Sequence, residues 1–306
     1  MDKTQTSNTK RILVTGGTGL LGLALLKTAL DGVELFGTHL PGNPPPAPMP
    51  CSFYPLDVRD LAQVAQVFEQ TRPDWVIHTA SIGSVDYAEQ HREEAWTVNI
   101  GGTQNVGQMC RRHKARLIFI SSNAVFDGER PLYTEAAPVN PINHYGRLKV
   151  EGEQWVQSSG VENAIVRPIL MYGWHLPIER GNWVTTWIRT LGQGQRVKVV
   201  NDTRTKPLFA RNCAEAIWAV VAQNRTGVYH VAGADHITLH ELALKTAEVF
   251  GLDASLIDPV PSSYFPEIAP RPRDTSFDTS KMEKELGVRP WGVQDGLIHM
   301  QAERSA

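Results

Sequence analysis

The chain has 306 residues, and 42% of them are apolar, which is enough for one large α/β domain, a smaller lobe and a sizeable core. The chain has 30 Lys and Arg residues and 32 Asp and Glu residues. Its net charge of -2 lacks the positive excess that is typical of proteins that bind nucleic acid or anionic membranes. The three cysteines lack the spacing of a zinc site or a disulfide framework, so we expect no metal and a reducing compartment.

The N-terminal segment MDKTQTSNTK is polar and has no apolar stretch of the signal-peptide kind behind it. No later run approaches about 18 uninterrupted apolar residues, the length that a membrane-spanning helix requires. We therefore expect a soluble, cytoplasmic protein with a short frayed arm.

Short β-branched runs alternate with helical patterns through the first half of the chain. In the segment LAQVAQVFEQ, one helical face carries Leu61, Val64, Ala65 and Phe68, as a crossover packed on a sheet requires. This alternation predicts an α/β fold with a doubly wound parallel sheet of the Rossmann type. The candidate strands are residues 12–14, 33–37, 75–78, 117–121 and 164–167.

The proline tract at 41–50 cannot be helical and predicts an extended loop after the second strand. An SH3-like partner is a less favoured interpretation because flanking basic anchors are missing. After Pro168 the regularity breaks, and residues 171–207 are expected to leave the sheet.

Two capping boxes indicate helices in a smaller C-terminal α/β lobe. The first pairs Thr238 with Glu241, and the second pairs Ser280 with Glu283 before Gly287 ends the helix. We expect residues 1–168 with about 208–224 to form the dinucleotide-binding domain. Residues 169–207 with 225–306 would form the substrate lobe.

The run RILVTGGTGLLGLALLKTAL joins a buried strand to an apolar helix through Gly16, Gly19 and Gly22. Gly16 permits the tight turn, Gly19 lets the backbone approach a pyrophosphate, and Gly22 lets helix and strand pack closely. A glycine-rich turn that binds nothing is the competing interpretation. Strand, turn and helix occur here in the order that predicts a dinucleotide cofactor.

The identity of the cofactor depends on the end of the second strand. NAD-preferring sites usually carry a carboxylate there, whereas this chain has His39 in LFGTHL, so NADP is weakly favoured over NAD. Asp57, followed by Val58 in YPLDVRD, is placed to reach the adenine. Asp57 could equally be an ordinary helix cap.

Tyr145 and Lys149 are four residues apart in PINHYGRLKVEGE, which places them on one helical face after a cap at Asn140 and a first-turn Pro141. An ammonium about 4 Å from the phenol would lower its pKa by about three units. The tyrosine could then donate a proton to a carbonyl as hydride arrives. Ser122, expected at the carboxyl end of a central strand, could orient the same oxygen.

With these residues in this order, the chain resembles extended short-chain dehydrogenases/reductases, and within them dTDP-4-dehydrorhamnose reductase and its relatives. The resemblance is carried by SSNAVFDG, APVNPINHYGRLKVEGE, GVYHVAGADHITLHELA and RPRDTSFDTSKMEKELG. It implies reduction of a keto group on a nucleotide-activated sugar, with Ser122, Tyr145 and Lys149 as catalytic residues. It also implies a homodimer formed through two helices, one of which carries Tyr145.

The resemblance further implies a set of binding residues. Asn99 would hold a structural water, and the Leu20 and Leu21 amides would take the pyrophosphate. The implied cofactor-binding residues are Gly16, Thr18, Gly19, Leu20, Leu21, Gly22, His39, Asp57, Val58, Thr79, Ala80, Ser81, Asn99, Tyr145, Lys149 and Pro168. The implied substrate-binding residues are Asn123, Arg204, Arg271 and Arg273, although each arginine could be a surface solubiliser.

Two departures from the family pattern leave the sugar open. Ser122 and Asn123 stand where Thr and Asp are often found, and Asn212 replaces an expected acid. The chain also resembles the regulatory beta subunit of methionine adenosyltransferase, which implies a non-catalytic NADP-binding alternative. A sugar-nucleotide epimerase or dehydratase is a third alternative.

Overall fold

A seven-stranded parallel sheet forms the centre of the computed structural model, which describes residues 9–177, 181–266 and 268–304. The strands are β1 Lys10–Thr15, β2 Val33–His39, β3 Ser52–Pro55, β4 Trp75–His78, β5 Arg116–Ile120, β6 Asn163–Pro168, β7 Met171–Tyr172, β8 Val197–Val200, β9 Arg204–Thr205, β10 Leu208–Phe209, β11 Gly227–Val231, β12 Ile237–Thr238 and β13 Ile257–Val260. The strand order of the central sheet is β11-β6-β5-β4-β1-β2-β3. The short pairs β10-β7, β12-β9 and β13-β8 lie outside this sheet.

The helices connect these strands and cover both faces of the sheet. They are α1 Leu20–Lys27, α2 Leu61–Thr71, α3 Val85–Gln90, α4 Arg92–Trp96, α5 Gly102–His113, α6 His144–Ser158, α7 Trp183–Gly192, α8 Ala210–Ala222, α9 Leu239–Phe250 and α10 Val293–Arg304. Thr97–Gly101 and Met282–Leu286 form π-helical turns, and Asn123–Val125 forms a 3-10 turn. Within the described ranges, no helix is both long and apolar enough to cross a bilayer.

The sheet reverses its direction of growth between β1 and β4, which are hydrogen-bonded neighbours in the middle of the strand order. Connections that leave from neighbouring strands in opposite directions open a crevice at the carboxyl ends of those strands. The predicted α/β fold with a doubly wound parallel sheet is therefore confirmed, and the candidate functional residues follow these strand ends.

A second hydrophobic core lies outside the sheet, where α7, α9 and α10 meet. It includes Tyr172, Trp187, Leu242 and Leu297, each at most 3% exposed. The expectation that residues 171–207 leave the sheet is confirmed, since the strands of this stretch pair only with short partners. The division into two lobes at the stated boundaries stays a prediction.

Two helix starts differ from the sequence-based expectation. Asn143, not Asn140, caps α6 by accepting a hydrogen bond from the Gly146 amide, because the Asn140 side chain donates to Asp127.

The capping box of Thr238 and Glu241 is confirmed. The second box is wrong: the Ser280 amide donates to Asp278, and Glu283 accepts from Thr279. Gly287 does end that turn, at φ +71.

Close glycine contacts seat α6 on its neighbours. A Cβ on Gly152 would lie 2.6 Å from the Phe119 ring on β5, and a Cβ on Gly107 of α5 would lie 2.4 Å from the Trp155 ring. Because Gly152 and Gly107 have no side chain, α6, the helix that carries Tyr145 and Lys149, packs close to β5 and α5.

We expect Gly152→Ala to lower the free energy of unfolding by about 1–3 kcal/mol, since the added methyl overpacks a buried contact. Urea denaturation followed by circular dichroism measures this change. Gly192→Ala is the matched control: Gly192 ends α7, and no atom lies within 4 Å of the position that an added methyl would take. That variant should be neutral or slightly stabilised. Equal unfolding midpoints for the two variants would contradict the packing argument.

Candidate active site

The glycine turn lies at the crevice, between the end of β1 and the start of α1. Gly16 has φ +67, a left-handed conformation that favours glycine, and a Cβ there would lie 2.9 Å from the Ala80 backbone. A Cβ on Gly22 would lie 2.3 Å from the Gly16 carbonyl oxygen. The turn therefore lets α1 approach both β1 and the loop after β4, as the sequence predicts.

The first turn of α1 offers its amides to an anion. Gly19 is the N-cap residue and contributes no capping side chain, and the turn carries no acidic residue. First-turn amides have no partner within their own helix, and the helix dipole adds partial positive charge there. Leu20 and Leu21 begin this turn, and Thr18 beside it is 7% exposed. Backbone N–H groups at a helix start suit a diphosphate, so these residues fit a dinucleotide.

The loop after β4 contacts this turn and is held by Asn99. The Thr79 hydroxyl donates to the Thr15 carbonyl at 2.6 Å. The Asn99 amide group accepts from the Ile82 N–H at 2.7 Å and donates to the Ile82 carbonyl at 3.1 Å. Asn99 is 3% exposed and thus fixes the backbone that follows Thr79, Ala80 and Ser81. These two hydrogen bonds tether Asn99 directly to the backbone of the loop, and the water site implied by the family resemblance stays a prediction.

His78, at the end of β4, is a buried residue that the sequence argument did not single out. The Thr103 hydroxyl gives its proton to the Asn99 carbonyl at 2.6 Å, so it accepts from His78 Nε2 at 3.1 Å. His78 Nδ1 is then unprotonated and accepts from Thr15 Oγ1 at 2.8 Å. Burial and the nearby Lys149 charge lower the pKa of His78 to about 3, so the ring is neutral.

The predicted adenine end of the crevice is formed by β2 and the residues after β3. His39 is the last residue of β2, and its Nδ1 lies 2.9 Å from the Leu40 carbonyl. Asp57 pairs with Arg59 at 2.6 Å, and the hydrogen bond from Arg59 holds the pKa of this carboxyl below its usual range. Val58 is buried against Gly102 of α5. Pro168 ends β6 at the same edge of the sheet.

Ser122 and Tyr145 meet beside the crevice, as predicted. Ser122 follows β5, and its hydroxyl donates to the Asn123 side chain at 3.3 Å. It lies close enough to Tyr145, which is 9% exposed, to act on the pKa of the phenol. Ser122 also accepts from the Ala124 amide at 3.1 Å, which fixes its side chain. A Cβ on Gly146 would lie 2.1 Å from the Ala124 carbonyl oxygen, so glycine at this position lets the start of α6 reach the Ser122 turn.

Lys149 lies one turn after Tyr145 and is 3% exposed. Its Nζ donates to the Ile120 carbonyl at 2.9 Å and lies 5.6 Å from the centre of the Tyr145 ring. Burial lowers the pKa of Lys149 to about 8, while the charge of Glu153 raises it. The expected lowering of the Tyr145 pKa by the lysine is wrong for this structure: burial raises the Tyr145 pKa to about 12, and the nearby Ser122 hydroxyl opposes that rise.

The arginine candidates for substrate binding lie on one strap, residues 270–275, and on β9 beside it, and Asn123 reaches the strap from the turn after β5. The Arg204 amide donates to the Arg273 carbonyl at 3.0 Å, and the Asn123 side chain contacts Thr275. Arg271 forms an ion pair with Asp86 at 2.8 Å. The structure therefore brings the three arginines to the edge of the site, but one of them already has a carboxylate partner.

Residues missed by the sequence argument surround this site. Besides His78 they are Glu153, Arg167 and His230, all buried. Glu153 had a readable signal, since it falls on the helical face of Tyr145 and Lys149 at the next i+4 step. Arg167 and His230 gave only the signal of a polar residue near the end of an apolar strand.

Comparisons with known proteins cover nearly the whole chain. The dTDP-4-keto-6-deoxy-D-glucose reductase of Streptomyces niveus is 32% identical over 287 residues, which are 92% of this chain and 93% of that protein. Methionine adenosyltransferase 2 subunit beta of Rattus norvegicus is 28% identical over 286 residues, 91% of this chain and 83% of that protein.

Solved structures show the same architecture. A dTDP-4-dehydrorhamnose reductase from Bacillus anthracis, solved in complex with NADP, superposes with a TM-score of 0.85 at 28% identity, covering 96% of this chain and 99% of that one. The family model described as RmlD substrate binding domain matches residues 10–305. The chain belongs to the RmlD substrate binding domain family.

Proposed function

We propose that this chain is an NAD(P)-dependent oxidoreductase that reduces a keto group on a nucleotide-activated sugar, with Tyr145 as the proton donor. The observation that carries the proposal is that Ser122 and the buried Tyr145 lie next to each other, beside the crevice between β1 and β4. Relatives named as reductases of dTDP-linked keto sugars match over nearly the whole length of the chain.

The dinucleotide is held at its diphosphate by Gly19, Leu20 and Leu21, whose amides start α1. Its nicotinamide supplies the hydride when the cofactor is bound. NADP is preferred over NAD because β2 ends in His39, with no carboxylate to repel a 2′-phosphate. The NADP complex of the Bacillus anthracis relative supports this preference.

Ser122 and Tyr145 act together on the carbonyl oxygen of the substrate. Because the pKa of Tyr145 is about 12, the phenol keeps its proton until a developing oxyanion takes it. Ser122 holds that oxygen in place by a second hydrogen bond. The Lys149 ammonium adds positive charge one turn away, and it binds the ribose next to the nicotinamide.

The sugar nucleotide lies against Asn123 and the strap 270–275. Arg204 and Arg273 are the diphosphate contacts, because both are exposed and their backbones are hydrogen-bonded neighbours. Arg271 joins them only when it leaves Asp86, since the ion pair between the two side chains occupies its guanidinium.

A second candidate is a non-catalytic, NADP-binding regulatory subunit. The observation that favours it is the match to methionine adenosyltransferase 2 subunit beta from several animals, at 27–28% identity over 91% of this chain. Structures of an epimerase and a dehydratase are only 23% identical, so their likeness supports the fold and not a reaction.

The function is tested by following NADPH absorbance with a panel of nucleotide-linked 4-keto sugars. We expect oxidation of NADPH with at least one dTDP-linked member. Tyr145→Phe should lower kcat by about 10²- to 10⁴-fold, since only the transferable proton is removed. NADPH affinity, measured by fluorescence titration, should change little.

Tyr87→Phe is the matched control for this variant, because Tyr87 is exposed and its hydroxyl donates to Glu94 away from Ser122. Its turnover should equal that of the wild type. Undiminished turnover in Tyr145→Phe would remove Tyr145 from the mechanism. Binding of NADPH without turnover of any keto sugar, together with stoichiometric capture of a methionine adenosyltransferase, would favour the regulatory candidate.

Gly22→Ala should weaken NADPH binding by about tenfold or more, which corresponds to about 1.4 kcal/mol. The added Cβ would meet the Gly16 carbonyl oxygen and push α1 away from the turn. Fluorescence titration measures the loss, with Gly192→Ala as the control. Wild-type affinity in Gly22→Ala would show that the diphosphate binds elsewhere.

The pH dependence of kcat/KM should show a falling limb near pH 8. Burial lowers the pKa of Lys149 to about 8, so the side chain is charged below that pH and neutral above it. Reduction should therefore be supported at lower pH and lost as pH rises through the limb. Lys149→Arg stays charged throughout and should lose the limb, at reduced activity. A limb of unchanged position in that variant would assign it to another group.

A further inference from the structure

Glu153 is a buried carboxylate in the middle of α6, 4% exposed, and the proposed mechanism does not use it. It forms an ion pair with Arg167 in which both side chains are 5% exposed. The free energy lost when two charges are removed from water is about as large as the free energy gained from their attraction. A buried ion pair is therefore weak evidence of a stabilising role. The position of Glu153 one turn after Lys149 and next to Ser121 points to a functional one.

The carboxylate joins three elements at the level of the reaction site. Its Oε1 accepts from the Ser121 hydroxyl at 2.5 Å and from Arg167 Nε at 2.8 Å, and its Oε2 accepts from Arg167 Nη2 at 2.6 Å. Ser121 follows β5 directly and precedes Ser122, while Arg167 lies on β6. Glu153 therefore ties the Ser122 backbone to the helix that carries Tyr145.

The same carboxylate bonds one buried cation, Arg167, and its charge acts on a second, Lys149. Lys149 lies one turn before it on α6, and Arg167 lies across from it. Arg167 Nη1 donates to His230 Nε2 at 3.2 Å, and His230 Nδ1 then donates to the Tyr133 carbonyl at 3.0 Å. Burial and the Arg167 charge lower the pKa of His230 to about 3, so this partner is neutral.

Among the residues that the structure describes, the other titratable groups facing Lys149 carry no charge that could replace Glu153. His78 on β4 is neutral, and Tyr145 on α6 keeps its proton. The remaining contacts of the lysine are the Ile120 carbonyl and the Phe119 ring on β5. Glu153 is thus the anion that balances Lys149, and Arg167 competes for it.

We propose that Glu153 is a positioning residue that holds Ser121, and through it Ser122, against α6 while its charge, divided between Arg167 and Lys149, sets the protonation of the lysine. This inference rests on the proposed function for its link to catalysis. The tether and the charge balance are properties of the chain itself.

The test is a titration of the Lys149 amine in protein labelled with ζ-¹⁵N lysine, without any cofactor or substrate. We expect a midpoint near pH 8 for the wild type. Glu153→Gln should move the midpoint down by about 1 pH unit or more, because the neighbouring anion is lost. Arg167→Met should move it up, because the carboxylate is no longer shared. Opposite directions from the two partners of one ion pair are not expected from general damage to the fold.

Glu151→Gln is the matched control, since Glu151 lies on the same helix and bonds the exposed Trp96 indole at the surface. It should leave the midpoint unchanged. The resonance of Lys149 is identified by its loss in Lys149→Arg. Circular dichroism and urea midpoints establish that each variant is folded.

If Glu153→Gln fails to fold, the double variant Glu153→Met with Arg167→Met removes both charges and keeps an apolar core. The Lys149 titration midpoint of this double variant should return towards that of the wild type. Its kcat should fall about tenfold or more with little change in KM, because Ser121 no longer donates a hydrogen bond to the Glu153 carboxylate. Shifts of both single variants in one direction, no shift at all, or wild-type kcat in the double variant would overturn the proposal. Opposite shifts in a protein that reduces no keto sugar would support the charge balance and refute only the proposed function.

Discussion

The contact between Gly146 and the Ala124 carbonyl is the constraint on which the candidate site depends. With no side chain at Gly146, the first turn of α6 reaches the turn that follows β5, and Tyr145 comes to lie next to Ser122. Gly152 repeats the arrangement further along, against Phe119. A helix and a strand that are joined by more than twenty residues of loop and turn are thus brought into one fixed relation by close packing, together with the hydrogen bonds of Lys149 and Glu153.

The crevice at the sheet reversal is organised by polar groups that lie beneath it. A series of hydrogen bonds connects the π-helical turn to the end of β1, through Asn99, Thr103, His78 and Thr15. Each donor and acceptor in this series is satisfied, as buried polar groups require. The loops that would contact a dinucleotide therefore rest on a hydrogen-bonded layer.

Much of the fold can be predicted from the sequence because the buried strands are short β-branched runs. The predicted strands all fall on observed ones, whereas two strands of the central sheet are not predicted: β3, which is half-exposed and ends in proline, and β11, which lies after the break in the regular pattern. Of the three proposed catalytic residues, Tyr145 and Lys149 can be predicted from their spacing along one helix, and Ser122 from its place after β5. The cap of α6 cannot, since Asn140 and Asn143 have equal local preference and only the contact of Asn140 with Asp127 separates them. The spacing also predicts the wrong direction for the pKa of Tyr145. It shows that the charged Lys149 is near, but it does not show that the phenol is buried, and burial raises its pKa.

The strap 270–275 makes completion of the site a late event in synthesis. Asn123 contacts Thr275, 152 positions further along the chain, and Asn143 donates to the Pro270 carbonyl across 127 positions. The chain makes β1 to β6 and α6 long before these partners are synthesised. The wall of the proposed site can therefore close only after the strap has been made.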